Sequence, residues 1–206
     1  KIGEVAEPVL RADDLLVRTR AAGVNRADLT HRRGGYGWPD FGDSTIMGLE
    51  IAGDVIAAGA NVHGFRVGDR VMGIVGGGAY AEVARIDWRM AMPIPDGIDY
   101  VQAAAITEVF VTAHEALVHL GKLQAGETVL IHAGAGGVGG AAVQLANAVG
   151  ATVITTAKSE AHALVRRMGA KVELDLLRHG FVPAGGGEIE VNVQPSSLTR
   201  LDLCER

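Results

Sequence analysis

The residues of this chain with the most distinctive chemistry form a glycine-rich turn. Glycines stand at its first, third and sixth positions, which is the spacing G-x-G-x-x-G. Residues without a β-carbon let the backbone N–H groups at the start of a helix approach an anion closely, and the helix dipole favours negative charge there. The turn therefore predicts a pyrophosphate-binding site made of Gly134, Ala135, Gly136, Gly137, Val138 and Gly139.

The segments on both sides of this turn predict the elements that would position it. Residues 128–133 form a short apolar run typical of a buried parallel strand, and residues 151–156 predict a second strand. Between them, apolar residues recur at helical spacing until Gly150 supplies a stop. Strand, turn, helix and strand follow one another as a mononucleotide-binding unit requires. We therefore predict dinucleotide binding, with a tight turn that holds no ligand as the alternative.

The end of the second predicted strand indicates which dinucleotide binds. An NAD site usually has Asp or Glu there, about 20 residues after the glycines, to hold the ribose hydroxyls. Here the strand runs into Thr156, Ala157, Lys158 and Ser159, without a carboxylate. Lys158 and the Ser159 hydroxyl are suited to a 2′-phosphate, so we predict NADPH, held at this end by Thr156, Lys158 and Ser159. The alternatives are a helix N-cap for Ser159 and a solvated surface charge for Lys158.

The composition limits the remaining classes of protein. The chain has 206 residues, 29 of them Gly, and 48% hydrophobic residues, which favours a globular α/β protein. The net charge of −5, without a basic run beside aromatic residues, argues against nucleic acid as a partner. We expect no membrane contact, because no apolar run approaches the roughly 20 residues of a spanning helix and residues 1–4 do not resemble a signal peptide. The single Cys204 cannot form an internal disulfide, which favours a cytoplasmic location.

The chain changes its pattern near residue 99. From Asp99 onward longer helical patterns begin, with Asp99 and Gln102 at capping-box spacing and Gly121 as the stop. Pro93 and Pro95 hold the preceding backbone extended. We therefore predict a β-rich domain at residues 1–98 and an α/β domain at residues 99–206. Within the first, short alternating runs between turns predict strands over residues 15–19, 51–56, 70–75 and 79–86.

Several motifs, taken in order, resemble one known family. Residues 126–130, the turn at 134–139 and Gln144 closely resemble the signature of the quinone oxidoreductase/zeta-crystallin branch of the medium-chain dehydrogenase/reductase family, with a departure at Asn147. Motifs upstream resemble the same branch in the same order. They are residues 22–29, Gly35-Tyr36, residues 48–53, 68–71 and 103–105, Thr112-Ala113 and Ala116-Leu117.

This resemblance implies a fold and a set of site residues. The fold is a GroES-like β-barrel catalytic domain at residues 1–98, followed by a Rossmann domain with a doubly wound parallel sheet. Asn25 and Thr112 would face the nicotinamide, and Tyr36 would lie at the substrate cleft as hydrogen-bond donor or proton source. The structural alternatives are a helix cap for Asn25, a loop aromatic for Tyr36, and purely structural roles for Asp28 and Glu50.

The resemblance also bears on metal binding and on the reaction. In zinc alcohol dehydrogenases of this family, Cys stands at the position of Asn25 and His at that of Leu49. Because neither Asn nor Leu replaces those zinc ligands, we predict no metal site. Without a Lewis acid, alcohol oxidation loses the group that stabilises the developing alkoxide, whereas a quinone or enone spreads charge by conjugation. We therefore predict NADPH-dependent, zinc-independent reduction of a quinone or α,β-unsaturated carbonyl, with enoyl-thioester reduction as the alternative.

The last part of the chain departs from the family pattern. Residues 172–176 predict a third strand and residues 188–193 alternate as a strand does, but Gly185-Gly186-Gly187 between them leaves no room for the usual helix. We see no family counterpart for residues 194–206, and the family's first strand would precede Lys1. We therefore expect a truncated chain with an incomplete Rossmann sheet and an atypical tail from about residue 178. A second hypothesis follows, of a non-catalytic variant that binds nucleotide or a partner subunit; a homodimer is the assembly that the resemblance implies.

Overall fold

The structure is a computed structural model that describes residues 3–34, 44–175, 191–194 and 199–201. The chain divides into two compact units, Lys1–Glu108 and Val109–Arg206. The division falls later than the predicted boundary between residues 98 and 99. It does so because Ala103 and Ala104 are buried in one apolar cluster with Ala52 and Met72 of the first unit. The assignment of a catalytic and a cofactor-binding domain on either side of residue 98 stays a prediction.

The first unit is built on a curled antiparallel sheet of five strands in the order β4-β1-β2-β3-β5. A strand overlaps each of the four predicted ranges, but the fourth begins at Val83 instead of residue 79; β5 is an addition. Apolar side chains that alternate along them, among them Leu15, Val17 and Ile51, are fully buried in the core. The strands are β1 (Asp14–Ala22), β2 (Glu50–Ala58), β3 (Arg70–Ile74), β4 (Val83–Asp87) and β5 (Ala91–Pro93).

Short helical segments complete the first unit and lead into the second. The capping box predicted at Asp99 is confirmed: the Gln102 N–H donates to Asp99 Oδ1 at 2.8 Å, and the Asp99 N–H donates to Gln102 Oε1 at 3.2 Å. The helical path ends at Gly121, as predicted. Its segments are α1 (Arg26–Arg32), a 3-10 turn (Trp88–Met90), α2 (Tyr100–Ala103), α3 (Thr107–His114) and a π-helical turn (Glu115–Leu120).

The second unit contains the predicted strand, turn, helix and strand. Its elements are β6 (Thr128–Ile131), α4 (Gly137–Val149), β7 (Thr152–Ala157), a 3-10 turn (Ser159–Ala161), α5 (His162–Met168) and β8 (Val172–Asp175). Strands β6, β7 and β8 are parallel neighbours, as in a Rossmann sheet. Gly150 and Gly169 end the two helices with φ values of 92° and 116°, a left-handed conformation that glycine adopts without strain.

Two further strands make this sheet mixed rather than wholly parallel. Strand β9 (Val191–Gln194) pairs antiparallel with β6, and β10 (Thr199–Leu201) pairs antiparallel with β9. Strand β9 overlaps the strand predicted at residues 188–193, whose residues 188–190 lie outside the described part of the chain. The result is an incomplete Rossmann sheet in the order β10-β9-β6-β7-β8.

One helical stretch in the described residues is long and apolar enough to cross a membrane. It is Tyr100–Leu120, with 21 residues and a mean hydropathy of 1.2. The expectation that no apolar stretch approaches this length is therefore wrong. A core helix of a soluble protein meets the same two criteria, so this stretch is weak evidence for membrane insertion.

Candidate cofactor and active site

The glycine-rich turn joins β6 to the start of α4 in the second unit. Gly136 is the N-cap residue of α4 and has extended backbone angles, and the helix begins at Gly137. The N–H groups of the first helical turn have no carbonyl partner within the helix, so they are available to an anion. The backbone between Ala135 and Gly137 is exposed. The predicted phosphate-binding residues are thus brought together as a surface turn with donors at a helix N-terminus.

The three glycines of the G-x-G-x-x-G spacing differ in the atoms that an added β-carbon would contact. A β-carbon on Gly134 would lie 2.1 Å from Thr155 Oγ1, and one on Gly139 would lie 2.2 Å from the Ala133 carbonyl oxygen. Both positions are buried and allow tight packing of strand, turn and helix. A β-carbon on Gly136 would meet only the Ala133 oxygen, at 3.2 Å, and would otherwise project into open space. Gly136 is therefore the position where bare backbone fits an approaching phosphate.

Two threonines of β7 hold the turn against the sheet. Thr155 Oγ1 donates to the Ile131 carbonyl oxygen at 2.7 Å, and Thr156 Oγ1 accepts the Ala133 N–H at 3.0 Å. The Gly134 N–H donates to the Thr156 carbonyl oxygen at 3.0 Å. These bonds fix Ala133 at a positive φ of 53°, a value uncommon for a residue with a β-carbon. Thr156, predicted to bind cofactor, has a buried side chain that supports the turn from beneath.

The other predicted cofactor residues follow at the carboxyl end of β7. Lys158 and Ser159 are both exposed, and the preceding Ala157 is buried. The 3-10 turn begins at Ser159 with Lys158 as its N-cap residue, and α5 begins at His162. Ser159 is not the N-cap residue of α5, which is Ala161, but the first residue of the 3-10 turn that precedes this helix. A cation and a hydroxyl thus follow the strand that neighbours β6 in the sheet.

Thr112 and Tyr36 were the other candidates for contact with nicotinamide or substrate. Thr112 lies on α3 and is exposed. Tyr36 lies outside the described residues, so its place at a substrate cleft stays a prediction.

Asn25 belongs to a buried polar network in the first unit. Its side-chain Nδ2 donates to Glu50 Oε1 at 2.8 Å. Glu50 is the first residue of β2 and is only 2% exposed. The other carboxylate oxygen, Oε2, accepts the Thr107 hydroxyl at 3.0 Å and the Glu108 N–H at 2.9 Å. One buried carboxylate therefore connects the segment before α1 with the start of α3.

Asp28 forms the second part of this network. Its Oδ2 accepts the Asn25 N–H at 2.8 Å and the Tyr80 hydroxyl at 2.8 Å. Asn25 is the N-cap residue of α1, and its N–H bond to Asp28 is one half of a capping box, whereas the Asp28 N–H donates to the Asn25 backbone oxygen at 3.1 Å. Asn25 thus has the helix-capping position that was its structural alternative, and its side chain also contacts Glu50.

The acidic character of the network changes the ionisation of two neighbours. Burial raises the pKa of Tyr80, and its hydrogen bond to Asp28 and the charges of Asp28 and Glu50 raise it further. Tyr80 therefore stays a neutral hydrogen-bond donor at physiological pH. Burial also raises the pKa of Glu108, with smaller contributions from the charges of Glu50 and Asp28. Both effects favour the protonated, neutral forms of Tyr80 and Glu108 beside the carboxylates of Asp28 and Glu50.

Three members of this network were not predicted from the sequence: Tyr80, Thr107 and Glu108. Tyr80 contacts a residue 52 positions away, and Thr107 contacts one 57 positions away. No local pattern predicts such contacts. The one usable signal was Gly77-Gly78 just before Tyr80, which indicates a turn but not what the following side chain would contact.

In the described ranges no group of three His, Cys, Asp or Glu side chains is arranged to hold a metal ion. Leu49, at the position of a zinc-ligating His in zinc alcohol dehydrogenases, is 2% exposed. Zinc independence nevertheless stays a prediction.

Comparison with known families supports the first unit's assignment. Residues 11–96 match the profile of the alcohol dehydrogenase GroES-like domain. Residues 142–204 match that of RNA 3′-terminal phosphate cyclase. The described part of that second range contains most of α4 and the strands β7 and β8. In this chain those two strands belong to the Rossmann-type sheet.

Proteins with similar sequences include large synthases. The chain is 45% identical over 166 residues to erythronolide synthase EryA2 of Saccharopolyspora erythraea, covering 81% of this chain and 4% of that protein. It is 40% identical over 206 residues to the spectinabilin polyketide synthase system protein NorB of Streptomyces orinoci, covering 97% of this chain and 9% of that protein. The expectation of no counterpart for residues 194–206 is therefore wrong for part of that segment, since the second alignment leaves only 3% of the chain outside.

Solved structures with similar folds include a quinone oxidoreductase and an enoyl reductase. The Coxiella burnetii quinone oxidoreductase has a TM-score of 0.77 and 32% identity, covering 87% of this chain and 58% of that one. CurK enoyl reductase has a TM-score of 0.77 and 29% identity, covering 84% and 54%. A mycobacterial protein complexed with NADPH has a TM-score of 0.76 and 35% identity, covering 84% and 53%. The chain thus spans little more than half the length of these three structures and less than a tenth of the two synthases.

A GroES-like unit followed by a partial Rossmann sheet is the architecture of the medium-chain dehydrogenase/reductase superfamily, and this chain has that architecture. Its similarity extends both to quinone oxidoreductases and to an enoyl reductase, so membership of the quinone oxidoreductase branch alone is too narrow.

Proposed function

We propose that this chain takes part in NADPH-dependent, metal-independent reduction of a conjugated carbonyl compound, with a quinone as the first substrate to test. The observation that carries this proposal is the exposed backbone at Gly136, beside the N–H groups that begin α4. That arrangement suits the pyrophosphate of a dinucleotide. When bound, NADPH would supply the hydride.

The preference for NADPH over NADH is supported by the end of β7. Lys158 and Ser159 are exposed there, and no carboxylate stands between Ala157 and Ser159 to hold the ribose hydroxyls. A cation with a neighbouring hydroxyl would pair with a 2′-phosphate. The NADPH complex of a structural neighbour supports the same cofactor.

Reduction of a conjugated carbonyl needs a hydride at carbon and a proton at oxygen or at the neighbouring carbon. Conjugation delocalises the charge, so binding and orientation by side chains can suffice without a Lewis acid. We assign these roles to Asn25, Thr112 and Tyr36, with Tyr36 as hydrogen-bond donor or proton source. The position of Asn25, where zinc enzymes of the superfamily have Cys, is occupied by an amide bonded to Glu50.

Enoyl-thioester reduction is the second candidate, and two specific observations favour it. Over 166 residues, which are 81% of this chain, the sequence is 45% identical to erythronolide synthase EryA2. CurK enoyl reductase shares its fold at a TM-score of 0.77. In this reaction the hydride adds to the β-carbon of the thioester and a proton adds to the α-carbon, so the same site residues would serve.

The test is to follow NADPH absorbance with the full chain and either a simple quinone or a crotonyl thioester. Turnover with the quinone and little with the thioester supports the first candidate, and the reverse result supports the second. A folded chain that binds NADPH but reduces neither substrate contradicts both and favours a non-catalytic, nucleotide-binding variant. The cytoplasmic location, the homodimer and the absence of nucleic-acid and membrane partners stay predictions from composition and resemblance.

A further inference from the structure

Glu50 contacts the candidate site residue Asn25 but has no role in the proposed reaction. Its carboxylate is 2% exposed and accepts hydrogen bonds from three neutral donors. A buried carboxylate costs free energy unless such bonds compensate for lost solvation. A β-carbon on Gly23 would lie 2.1 Å from Glu50 Oε1, so the bare backbone at Gly23 makes room for this group.

The two oxygens of Glu50 have different partners. Oε2 binds the start of α3 through the Thr107 hydroxyl and the Glu108 N–H, whereas Oε1 binds the Asn25 amide. All three of these partners donate, so Glu50 acts here only as an acceptor, and Nδ2, not Oδ1, of Asn25 faces it. The main chain of Asn25 is fixed separately, because its N–H donates to Asp28 Oδ2.

We propose that Glu50 is a positioning residue, whose carboxylate sets which way the Asn25 amide is turned and thereby orients the atoms that Asn25 presents to cofactor or substrate. This inference rests on the proposed function for the role of Asn25, but the orientation itself does not depend on activity. A mutation that disturbs such an orientation by about 1 Å can reduce turnover by about a hundredfold.

Glu50→Gln tests the proposal with the same side-chain shape. The Glu108 N–H can only donate, so the single amide oxygen of Gln would remain at the Oε2 position. The new NH₂ group would then face Asn25 Nδ2, donor against donor, and Asn25 would have to turn over or move away. Tyr100→Phe is the matched control, because it removes one donor to Asp54, another carboxylate on β2, outside this network.

The first readout is the side-chain amide resonance of Asn25 in ¹H–¹⁵N spectra without cofactor, assigned by its loss in Asn25→Ala. We expect Glu50→Gln to shift this resonance and Tyr100→Phe to leave it in place. An unchanged resonance in folded Glu50→Gln would overturn the proposal. This measurement tests the orientation of the Asn25 amide even if the chain proves to have no reductase activity. Failure of this inference can therefore be distinguished from failure of the proposed function.

The second readout is turnover. We expect Glu50→Gln to lower kcat by about tenfold or more, and to lower it no further in an Asn25→Ala background, because the two residues act as one unit. Tyr100→Phe should keep kcat while losing thermal stability. Equal effects of Glu50→Gln in both backgrounds would assign Glu50 a purely structural role and contradict the inference.

Discussion

The position that a β-carbon on Gly139 would occupy lies 2.2 Å from the carbonyl oxygen of Ala133. No side chain fits there without moving backbone, because real contacts of a β-carbon do not approach this distance. We expect Gly139→Ala to lower the melting temperature strongly or to prevent folding of the second unit. Thermal unfolding followed by circular dichroism measures this effect.

Gly136→Ala is the matched comparison in the same turn. Its β-carbon would meet the Ala133 oxygen at 3.2 Å and otherwise face open space, so we expect a nearly unchanged melting temperature. NADPH affinity, measured by nicotinamide fluorescence, should fall by about tenfold, because the methyl group would stand in the path of the phosphate. Equal NADPH affinity in Gly136→Ala and the unmutated chain would contradict the phosphate site.

Thr156→Val should weaken the turn without changing its shape. The hydroxyl accepts the Ala133 N–H at 3.0 Å and lies 3.2 Å from His132 Nδ1, so its loss leaves the partly buried Ala133 N–H without this acceptor. We expect a loss of about 1 kcal/mol in the free energy of unfolding. Urea denaturation of the variant beside Thr152→Val, which makes the same change at an exposed position of β7, separates this effect from any change in strand propensity.

Local patterns predicted most of the fold correctly. Gly150 indicated the end of α4, and the apolar run at residues 128–133 indicated β6, because these signals depend only on neighbouring residues. Strand β5 was missed, since three residues ending in Pro93 give too short a pattern. The pairing of β9 with β6 was also beyond prediction, because it depends on a contact between residues about sixty positions apart.

The residues of the candidate site were harder to predict than the fold, because more of their contacts join distant parts of the sequence. The glycine turn was predictable because its residues are consecutive, and so was the place of Lys158 and Ser159 directly after a strand. Thr156 was predicted to bind cofactor because it lies at the end of a strand, but consecutive residues of this strand are buried, and its hydroxyl accepts the Ala133 N–H of the turn. The network around Glu50 joins segments more than twenty residues apart, and such closure follows only from the folded sheet.

Lys158→Ala tests the choice of cofactor. A charge-assisted bond to a 2′-phosphate contributes about 1.5–3 kcal/mol, so NADPH affinity should fall by more than tenfold while NADH affinity stays the same. Fluorescence titration with both cofactors measures this. Lys171→Ala is the control, because Lys171 precedes β8 and so lies toward the opposite end of the parallel strands. Tighter binding of NADH by the unmutated chain, or an equal loss for both cofactors, would refute the assignment of NADPH.

Glu108→Gln should change how stability depends on pH. Burial, with the charges of Glu50 and Asp28, raises the pKa of Glu108 in the folded state above its ordinary value. Below the ordinary carboxyl pKa the group is protonated in both states, so the folded protein carries no penalty from its charge. As pH rises through the raised pKa, the folded state must accept a third carboxylate near two others, and stability falls.

The variant should therefore be more stable than the unmutated chain at neutral pH by about 1 kcal/mol, and the difference should vanish at pH values below the ordinary carboxyl range. Urea unfolding at a series of pH values measures it. Glu115→Gln is the control, since that exposed carboxylate lies beside His119 on the π-helical turn and should show no gain at neutral pH. A variant that is less stable at neutral pH would mean that the charge of Glu108 is stabilising, and the direction of its pKa shift would then be wrong.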